Sequence, residues 1–322
     1  MRTMVCHGSL PKCDDPDNTL SELSDADLRL LLLLRHFELA ILDLFSQGLV
    51  SGTTHTCLGQ EYVPVAMRQL LRDEDFVFSN HRGHGHYLAR YADPAGLLAE
   101  IMGREGAVCG GAGGSQHLLR DSFMSTGIQG QSLPVACGLA LLFKRSAARS
   151  IAVAYVGDGT WGEGVVYESL NIAQLWQLPV LFIVENNGIA QSTLTQHQMA
   201  GSIAGRARGF GVAYQHVTTT DINRIRFLAA PVVQAVRDDH APAVIEFATT
   251  RLGPHSKGDD TRSPALLAEL RARDWYARYS LLFPEQFRRL DDEQQGLVGQ
   301  VIADVRARPF VKGPSVWDTS DA

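Results

Sequence analysis

Residues 151–191 decide the fold of this chain, and they read IAVAYVGDGTWGEGVVYESLNIAQLWQLPVLFIVENNGIAQ. Residues 151–156 form an apolar run that stops at GDG, and residues 180–184 form a second apolar run that stops at ENNG. Between the two runs, residues 163–176 carry apolar side chains at helical spacing. Strands without polar alternation suit a parallel sheet that is covered on both faces. The stretch therefore predicts a strand–helix–strand unit.

Polar residues follow both predicted strands, and in open α/β sheets ligands bind at the carboxyl ends of the strands. Gly157 and Gly159 allow a ligand to approach the backbone closely, and the amides that open the next helix can face an anion. Asp158 offers a carboxylate oxygen and Asn187 an amide oxygen, 187 − 158 = 29 residues later, so a crossover can bring them side by side. With a nearby phosphate, these oxygens suit an octahedral Mg²⁺ site.

Taken singly, each motif is most often only a turn: GDG a tight turn, and NNG a type I′ turn. The pair, with each member closing a buried strand, is much more specific, and it resembles the thiamine diphosphate (ThDP) fingerprint of GDG followed at a distance by NN. The resemblance implies that Asp158, Asn187 and the backbone oxygen of Ile189 bind the Mg²⁺ that carries the diphosphate.

Composition narrows the class of protein. The 322 residues, 45% hydrophobic and 20% charged, suffice for one large α/β core. The 29 basic and 35 acidic residues give a net charge of −6, which argues against nucleic acid as the main partner. The five cysteines form no CxxC pair, so we expect a reduced, cytoplasmic compartment. The N-terminal sequence lacks the apolar region of a signal peptide.

The remaining sequence predicts a flexible arm over residues 1–22 and one domain over residues 23–322. The helix predicted over residues 24–47 contains charged residues that exclude a membrane span, and it is apolar enough to be buried in the core or against another subunit. The polar loop after residue 250 should be functional or disordered. Other predicted elements are strands at 76–78, 212–217 and 243–248 and helices at 60–71, 94–102, 222–238, 264–283 and 291–307.

His81, His84 and His86 form an H-x-x-H-x-H pattern, which on its own suggests zinc or a solvated loop. The interleaved glycines argue against zinc, as does Arg82, whose guanidinium would repel a dication. No cysteine or carboxylate lies in the cluster. A phosphate contact by Arg82 from a glycine-flanked loop is the better interpretation.

The order of further motifs resembles the α subunit of the E1 component of 2-oxoacid dehydrogenases and of acetoin dehydrogenase, over roughly residues 25–310. That family has a doubly wound α/β fold with a mostly parallel sheet and helices on both faces. The motifs are Arg35-His36-Phe37-Glu38; His55 with Gly59, Gln60 and Glu61; Arg82 with His84 and Gly85; Gly113, Gly114, Ser115 and His117; Thr126 to Pro134; and Arg251 with Gly253, His255 and Ser256.

The resemblance implies a set of cofactor-binding residues: His81, Arg82, Gly127, Gln129, Gly157, Asp158, Gly159, Thr160, Asn187, Ile189, Arg251 and His255. The amides of Gly159 and Thr160 would meet the phosphates, together with residues 81, 82 and 251, and backbone groups at 127 and 129 would hold the aminopyrimidine. The catalytic candidates are His255, with Ser256 beside it in a loop expected to be mobile until cofactor binds, and His55 in the active-site channel.

The implied activity is decarboxylation of a 2-oxo acid, or cleavage of an acyloin, with transfer of the acyl group to a lipoyl E2 or another acyl-carrier protein. A β-type E1 subunit is implied as partner in an α₂β₂ tetramer, because in two-chain enzymes it supplies the glutamate that activates ThDP. Two alternatives stay open. The first is a transketolase-like transfer of a two-carbon unit to another acceptor, which the unusual sequence GDGTWGEG favours. The second is a non-catalytic partner subunit, and Asp158, Asn187 and His255 argue against it.

Overall fold

The structure is a computed structural model that describes residues 19–50, 52–256 and 260–312. In this part of the chain the strands are β1 (Phe76–Ser79), β2 (Leu119–Arg120), β3 (Phe123–Ser125), β4 (Ala152–Gly157), β5 (Val180–Asn186), β6 (Ile189–Ala190), β7 (Thr193–Leu194), β8 (Ala213–Val217) and β9 (Ala243–Ala248). The α-helices are α1 (Asp25–Ser46), α2 (Tyr62–Arg68), α3 (His84–Tyr91), α4 (Pro94–Met102), α5 (Ser132–Arg145), α6 (Gly164–Leu175), α7 (Ile203–Gly209), α8 (Ile222–Asp238), α9 (Pro264–Ala272), α10 (Trp275–Leu282) and α11 (Pro284–Ala307).

A mostly parallel sheet forms the centre of the molecule, with strand order β2-β3-β1-β4-β5-β9-β8 and one antiparallel pair, β2–β3. Strand β4 pairs with β5 in parallel from Ala152–Val180 to Gly157–Glu185, which confirms the predicted strand–helix–strand unit. Alternate residues of these two strands belong to different apolar clusters, so both faces of the sheet are covered. The predicted α/β fold is confirmed.

Helix α1 is buried in the chain's own core. It begins after Ser24, whose side chain accepts a hydrogen bond from the Asp27 amide, a common way to cap a helix. Its leucines at positions 28 and 30–34 are buried, and the helix packs against α11. Of the two predicted explanations for this apolar helix, burial in the core is confirmed, and no second subunit is needed to cover it.

Several predicted boundaries were wrong. The helix predicted over 264–283 is two helices, because Asp274, just before α10, has an extended backbone and its carboxylate accepts hydrogen bonds from Arg35. The last helix begins at Pro284 rather than at 291, since proline suits a first helical turn. The H-x-x-H-x-H segment is only partly a loop, because His84 begins α3. The short strands β2 and β3 were not predicted.

Residues 19–22 of the predicted arm lie against the folded domain. The amide and hydroxyl of Ser21 donate to the Asp221 carboxylate at 2.5 and 2.6 Å, and the Leu23 amide donates to the Tyr279 hydroxyl at 2.9 Å. These residues are therefore anchored, and the rest of the arm lies outside the described residues. Within the described ranges, no helix has the length and apolar character needed to cross a membrane.

Candidate active site

A cleft of about 440 Å³ opens at the carboxyl ends of β1, β4 and β5. Most of the predicted site residues line it: His55, His81, Arg82, Gly127, Gln129, Gly157, Asp158, Gly159, Thr160, Asn187, Ile189 and His255. Two predicted residues, Arg251 and Ser256, do not form part of this lining. Arg251 nevertheless donates to the carbonyl of Gln191, which does line the cleft, at 3.1 Å.

The predicted metal ligands lie at the ends of the two central strands. The register that pairs Gly157 with Glu185 sets Asp158, which opens a 3₁₀ turn, beside the segment that leads to Asn187. Asp158 is only 2% exposed, and its carboxylate accepts a short hydrogen bond from the Thr195 hydroxyl. Burial raises the pKa of Asp158 above its ordinary value, so a positive charge beside this carboxylate would stabilise its ionised form.

The Asn187 side chain is held from both sides. Its amide oxygen accepts from the Ile189 amide at 3.2 Å, and its amide nitrogen donates to Gln60 at 3.1 Å. One carboxylate, one amide oxygen and the Ile189 carbonyl would be a set of hard oxygen donors, the kind that Mg²⁺ prefers. Only one of these three donors is a His, Cys, Asp or Glu side chain. Among the described residues, no group of three such side chains is arranged to hold a metal.

The three histidines of the H-x-x-H-x-H segment point to different surroundings. His81 lines the cleft, whereas His84 lies 3.0 Å from the Glu38 carboxylate and His86 lies 2.7 Å from the Ser79 hydroxyl. They cannot share one ion in this arrangement. The structure therefore does not bring the three histidines together, and the phosphate contact assigned to Arg82 stays a prediction.

Positive charge is concentrated beside the predicted metal ligands. The Arg82 guanidinium donates to the Thr56 carbonyl at 2.7 Å and to Nδ1 of His255 at 3.2 Å, and both acceptors are neutral. Burial lowers the pKa of Arg82 to about 10, and the charge of Arg251 adds to this effect. A buried cation that contacts neutral groups is costly unless an anion joins it, so the corner around Arg82 suits a polyanionic group such as a diphosphate.

Three histidine rings meet at the same corner. The ring centroids of His55 and His255 are 4.6 Å apart, those of His55 and His81 are 4.8 Å apart, and those of His81 and His255 are 5.6 Å apart. Burial, followed by the charge of Arg82, lowers the pKa of His81 well below its ordinary value. His81 is therefore neutral near pH 7, and its Nδ1 accepts a 2.8 Å hydrogen bond from Gln129.

Two glycines of the cleft, Gly127 and Gly159, lie closely against neighbouring side chains. A Cβ atom at Gly127 would lie 2.2 Å from Oε1 of Gln116, and one at Gly159 would lie 2.7 Å from the Cβ of Ala190. At Gly157, by contrast, a Cβ would meet no atom within 4 Å and would occupy the cleft itself. Open space at this point, beside the donors and cations, fits a bound cofactor.

Sequence reasoning assigned no role to several residues of the lining: Gln60, Asn80, Gln116, Glu163, Glu185, Ala190, Gln191, Thr193 and Gln198. Gln60 and Gln116 belong to recognised motifs, and Glu185 directly precedes the two asparagines, so their positions carried a signal. Thr195 carried none, because it reaches Asp158 only through the β6–β7 hairpin.

The loop after β9 is held more firmly than its polar sequence suggested. The Arg262 guanidinium donates to the carbonyls of Arg251 and Gly253 at 2.5 and 2.7 Å, and the Leu252 amide donates to the Leu58 carbonyl at 3.0 Å. Polar hydrogen bonds therefore hold the start of this loop, and the expectation that it is mobile until cofactor binds stays a prediction. Residues 257–259 lie outside the described part of the chain.

Comparison with known proteins agrees with this geometry. The sequence model of the family described as dehydrogenase E1 component matches residues 29–302. The α subunit of acetoin:2,6-dichlorophenolindophenol oxidoreductase from Cupriavidus necator is 32% identical over 295 residues, or 87% of this chain and 89% of the relative. The corresponding subunit from Bacillus subtilis is 36% identical over 71% of this chain and 70% of the relative.

A third relative is the α subunit of the pyruvate dehydrogenase E1 component from Zymomonas mobilis, 36% identical over 73% of this chain and 68% of the relative. The family match and the named relatives define a dehydrogenase E1 component. This chain belongs to the dehydrogenase E1 component family and is similar throughout to its α subunits. Membership implies thiamine diphosphate as cofactor.

Proposed function

We propose that this chain is an E1 α subunit that holds the diphosphate of ThDP through Mg²⁺. With a β subunit it decarboxylates a 2-oxo acid or cleaves an acyloin, and the acyl group passes to a lipoyl E2. One observation carries the proposal: Asp158, Asn187 and the segment of Ile189 meet in the same cleft as the buried Arg82. An oxygen-rich metal site beside an unbalanced cation is what a metal-bound diphosphate requires.

When bound, ThDP supplies the nucleophilic carbon and the electron sink for cleavage beside a carbonyl group. The chain's own contribution is orientation and charge. Arg82 would contact phosphate oxygens, and the amides of Gly159 and Thr160, at the start of the 3₁₀ turn, would donate to them. Thr160 is also tied to the cleft, because its hydroxyl donates to Gln129 at 2.9 Å.

His255 is suited to donate a proton. An arginine can only donate, so the 3.2 Å contact between Arg82 and Nδ1 of His255 makes this nitrogen the acceptor. The neutral ring then carries its proton on Nε2, and this nitrogen would donate to a developing oxyanion in the cleft. His55 packs against the same ring and would help to fix its orientation.

Acyloin cleavage is the first substrate class to test, because the relative that matches nearly the whole chain is named for acetoin. The relatives are named as α subunits, which supports a β-type partner in an α₂β₂ tetramer. In the described part of the chain Cys57, Cys109 and Cys137 are free, which supports a reduced, cytoplasmic setting.

The proposal is tested by calorimetric titration with ThDP and Mg²⁺. Asp158→Ala removes the only charged ligand of the proposed metal site and should lower the affinity for ThDP about 100-fold or more, whereas Asn187→Ala removes a neutral ligand and should cost less. Asp292→Ala, on the exposed face of α11, is the matched control. Unchanged ThDP binding in Asp158→Ala would overturn the assignment.

A further inference from the structure

The carboxylate of Glu100 gathers backbone N–H groups from a glycine-rich loop. Its Oε2 accepts from the amides of Cys109 and Gly111 at 2.6 and 3.0 Å, and its Oε1 accepts from those of Gly113 and Gly114 at 2.7 and 3.2 Å. The residue is 1% exposed. A single buried carboxylate therefore organises the whole turn of this loop.

The glycines make this arrangement possible. Gly110, Gly111 and Gly114 have φ angles of +65°, +78° and +59°, in the left-handed region that other residues rarely adopt. Such a backbone turns successive N–H groups toward one point and forms a concave anion site. At Gly113 a Cβ would lie 1.7 Å from the His117 carbonyl oxygen, so no side chain fits there.

The position of Glu100 within α4 does not stabilise its negative charge. It lies in the last turns of α4, where the helix dipole disfavours a negative charge. The α4 helix ends immediately afterwards at Gly103, which adopts a left-handed conformation. The four amide donors outweigh this disadvantage, so the carboxylate serves the loop rather than the helix.

The loop leads directly to the wall of the cleft. Ser115 donates from its hydroxyl to the Thr53 carbonyl at 2.7 Å, and Nε2 of Gln116 donates to the carbonyl and hydroxyl of Thr53 at 3.1 and 3.0 Å. Gln116 lines the cleft with its Oε1 packed against Gly127. The path of the glycine-rich loop thus determines where the Gln116 side chain lies in the wall of the cleft.

We propose that Glu100 is a positioning residue: its carboxylate acts as the internal anion of the loop over residues 109–117 and so fixes Gln116 as a polar, specificity-determining wall of the cleft. The proposal rests on the proposed function only in taking the cleft as the place where cofactor and substrate bind. Glu100 itself touches neither.

Hydrogen exchange of the full chain, without cofactor, tests the first half of the proposal. Glu100→Gln keeps one side-chain oxygen and replaces the other by an amide NH₂ group, which cannot accept a hydrogen bond. The two backbone amides that donated to the replaced oxygen should then exchange their hydrogens about tenfold or more faster. Glu100→Ala should expose all four, and added formate should restore their protection. Glu105→Gln, an exposed glutamate on the same segment, is the matched control. Unchanged exchange in both Glu100 variants would overturn the proposal.

Kinetics of the complete enzyme, reconstituted with its β subunit, test the second half. Gln116→Ala and Glu100→Gln should each raise KM for the 2-oxo acid or acyloin about tenfold with little change in kcat, and the double variant should be no worse than the more affected single variant. Additive effects, or a fall in kcat alone, would overturn the link from Glu100 to Gln116. If the wild type turns over neither substrate, the proposed function fails, while the exchange experiment still decides whether Glu100 holds the loop.

Discussion

Two buried arginines with opposite electrostatic surroundings distinguish the framework of this protein from its site. Arg35 donates to the Glu61 carboxylate at 2.6 Å and to both oxygens of Asp274 at 2.6 and 3.0 Å. Burial alone would lower the pKa of Arg35, but the two carboxylates outweigh it and raise that pKa above its ordinary value. Arg82 is equally buried, yet its contacts are a carbonyl and an imidazole, and its pKa falls to about 10.

The difference between Arg35 and Arg82 distinguishes a charge that stabilises the fold from one that is available to bind a ligand. Arg35 joins α1, the loop that carries Glu61, and the start of α10, where its guanidinium also stacks 4.9 Å from the ring centroid of Trp275. Its charge is balanced within the chain. Among the described residues, Arg82 donates from its side chain only to the His255 ring and to the carbonyls of Thr56 and His255, so we expect a bound diphosphate to balance its charge.

The largest effect is expected at the balanced arginine. Arg35→Met leaves the carboxylates of Glu61 and Asp274 buried without their cation, so the free energy of unfolding should fall by about 3–5 kcal/mol. Urea denaturation measures this. Arg29→Met, which breaks the exposed pair with Glu293, is the control and should destabilise the protein far less, because solvent screens an exposed pair. A loss below about 1 kcal/mol for Arg35→Met would mean that this network does not hold the framework.

The sequence predicted those parts of the candidate site that depend on local sequence patterns. Asp158 and Asn187 could be placed together because apolar runs identify the strands and the carboxyl ends of parallel strands meet at one edge. The glycines at 157 and 159 followed from the same motifs, whereas Gly127 came from the family resemblance. The cofactor and the family came from resemblance, since no physical rule leads from these residues to ThDP in particular.

What sequence could not supply are contacts between distant segments. Arg35 belongs to a recognised motif, but its partner Asp274 lies 239 residues further on, in a stretch whose helical pattern showed no break. Thr195 reaches Asp158 through a hairpin of short strands. The four hydrogen bonds from backbone amides to Glu100 could not be predicted either, because nothing in the sequence of α4 shows that this carboxylate turns toward the glycine-rich loop.

The unbalanced arginine should show the reverse behaviour. Arg82→Met removes a buried cation that forms no ion pair with the described residues, so stability without cofactor should change by less than about 1 kcal/mol or rise. The affinity for ThDP with Mg²⁺, and for inorganic pyrophosphate with Mg²⁺, should fall about 10- to 100-fold, because charge-assisted hydrogen bonds to phosphate are lost. Calorimetric titration and urea denaturation on the same variant separate the two effects.

Arg149→Met, at an exposed ion pair with Asp238, is the control for removing a positive charge elsewhere. If Arg82→Met destabilises the protein as much as Arg35→Met while binding pyrophosphate normally, the distinction between the two arginines would be lost.

The smallest effect concerns the pH dependence of stability without cofactor. The folded-state pKa of His81 lies well below its ordinary value, which is near 6.5 in the unfolded chain, so the unfolded state binds more protons between these two values. Stability should therefore fall as the pH drops below about 7, by at most roughly 1.4 kcal/mol per pH unit for this one group. His81→Gln, which cannot take up the proton, should show a correspondingly flatter profile between pH 7 and pH 5.

His216→Gln, on the exposed edge strand β8, is the control and should leave the profile unchanged. Inorganic pyrophosphate with Mg²⁺ sharpens the comparison, because a bound anion offsets the charge of Arg82, which is the second cause of the lowered pKa after burial. The difference between wild type and His81→Gln should then shrink. A difference that is the same with and without the anion would show that burial alone depresses the pKa of His81, and that the positive corner of the cleft is not built around a phosphate group.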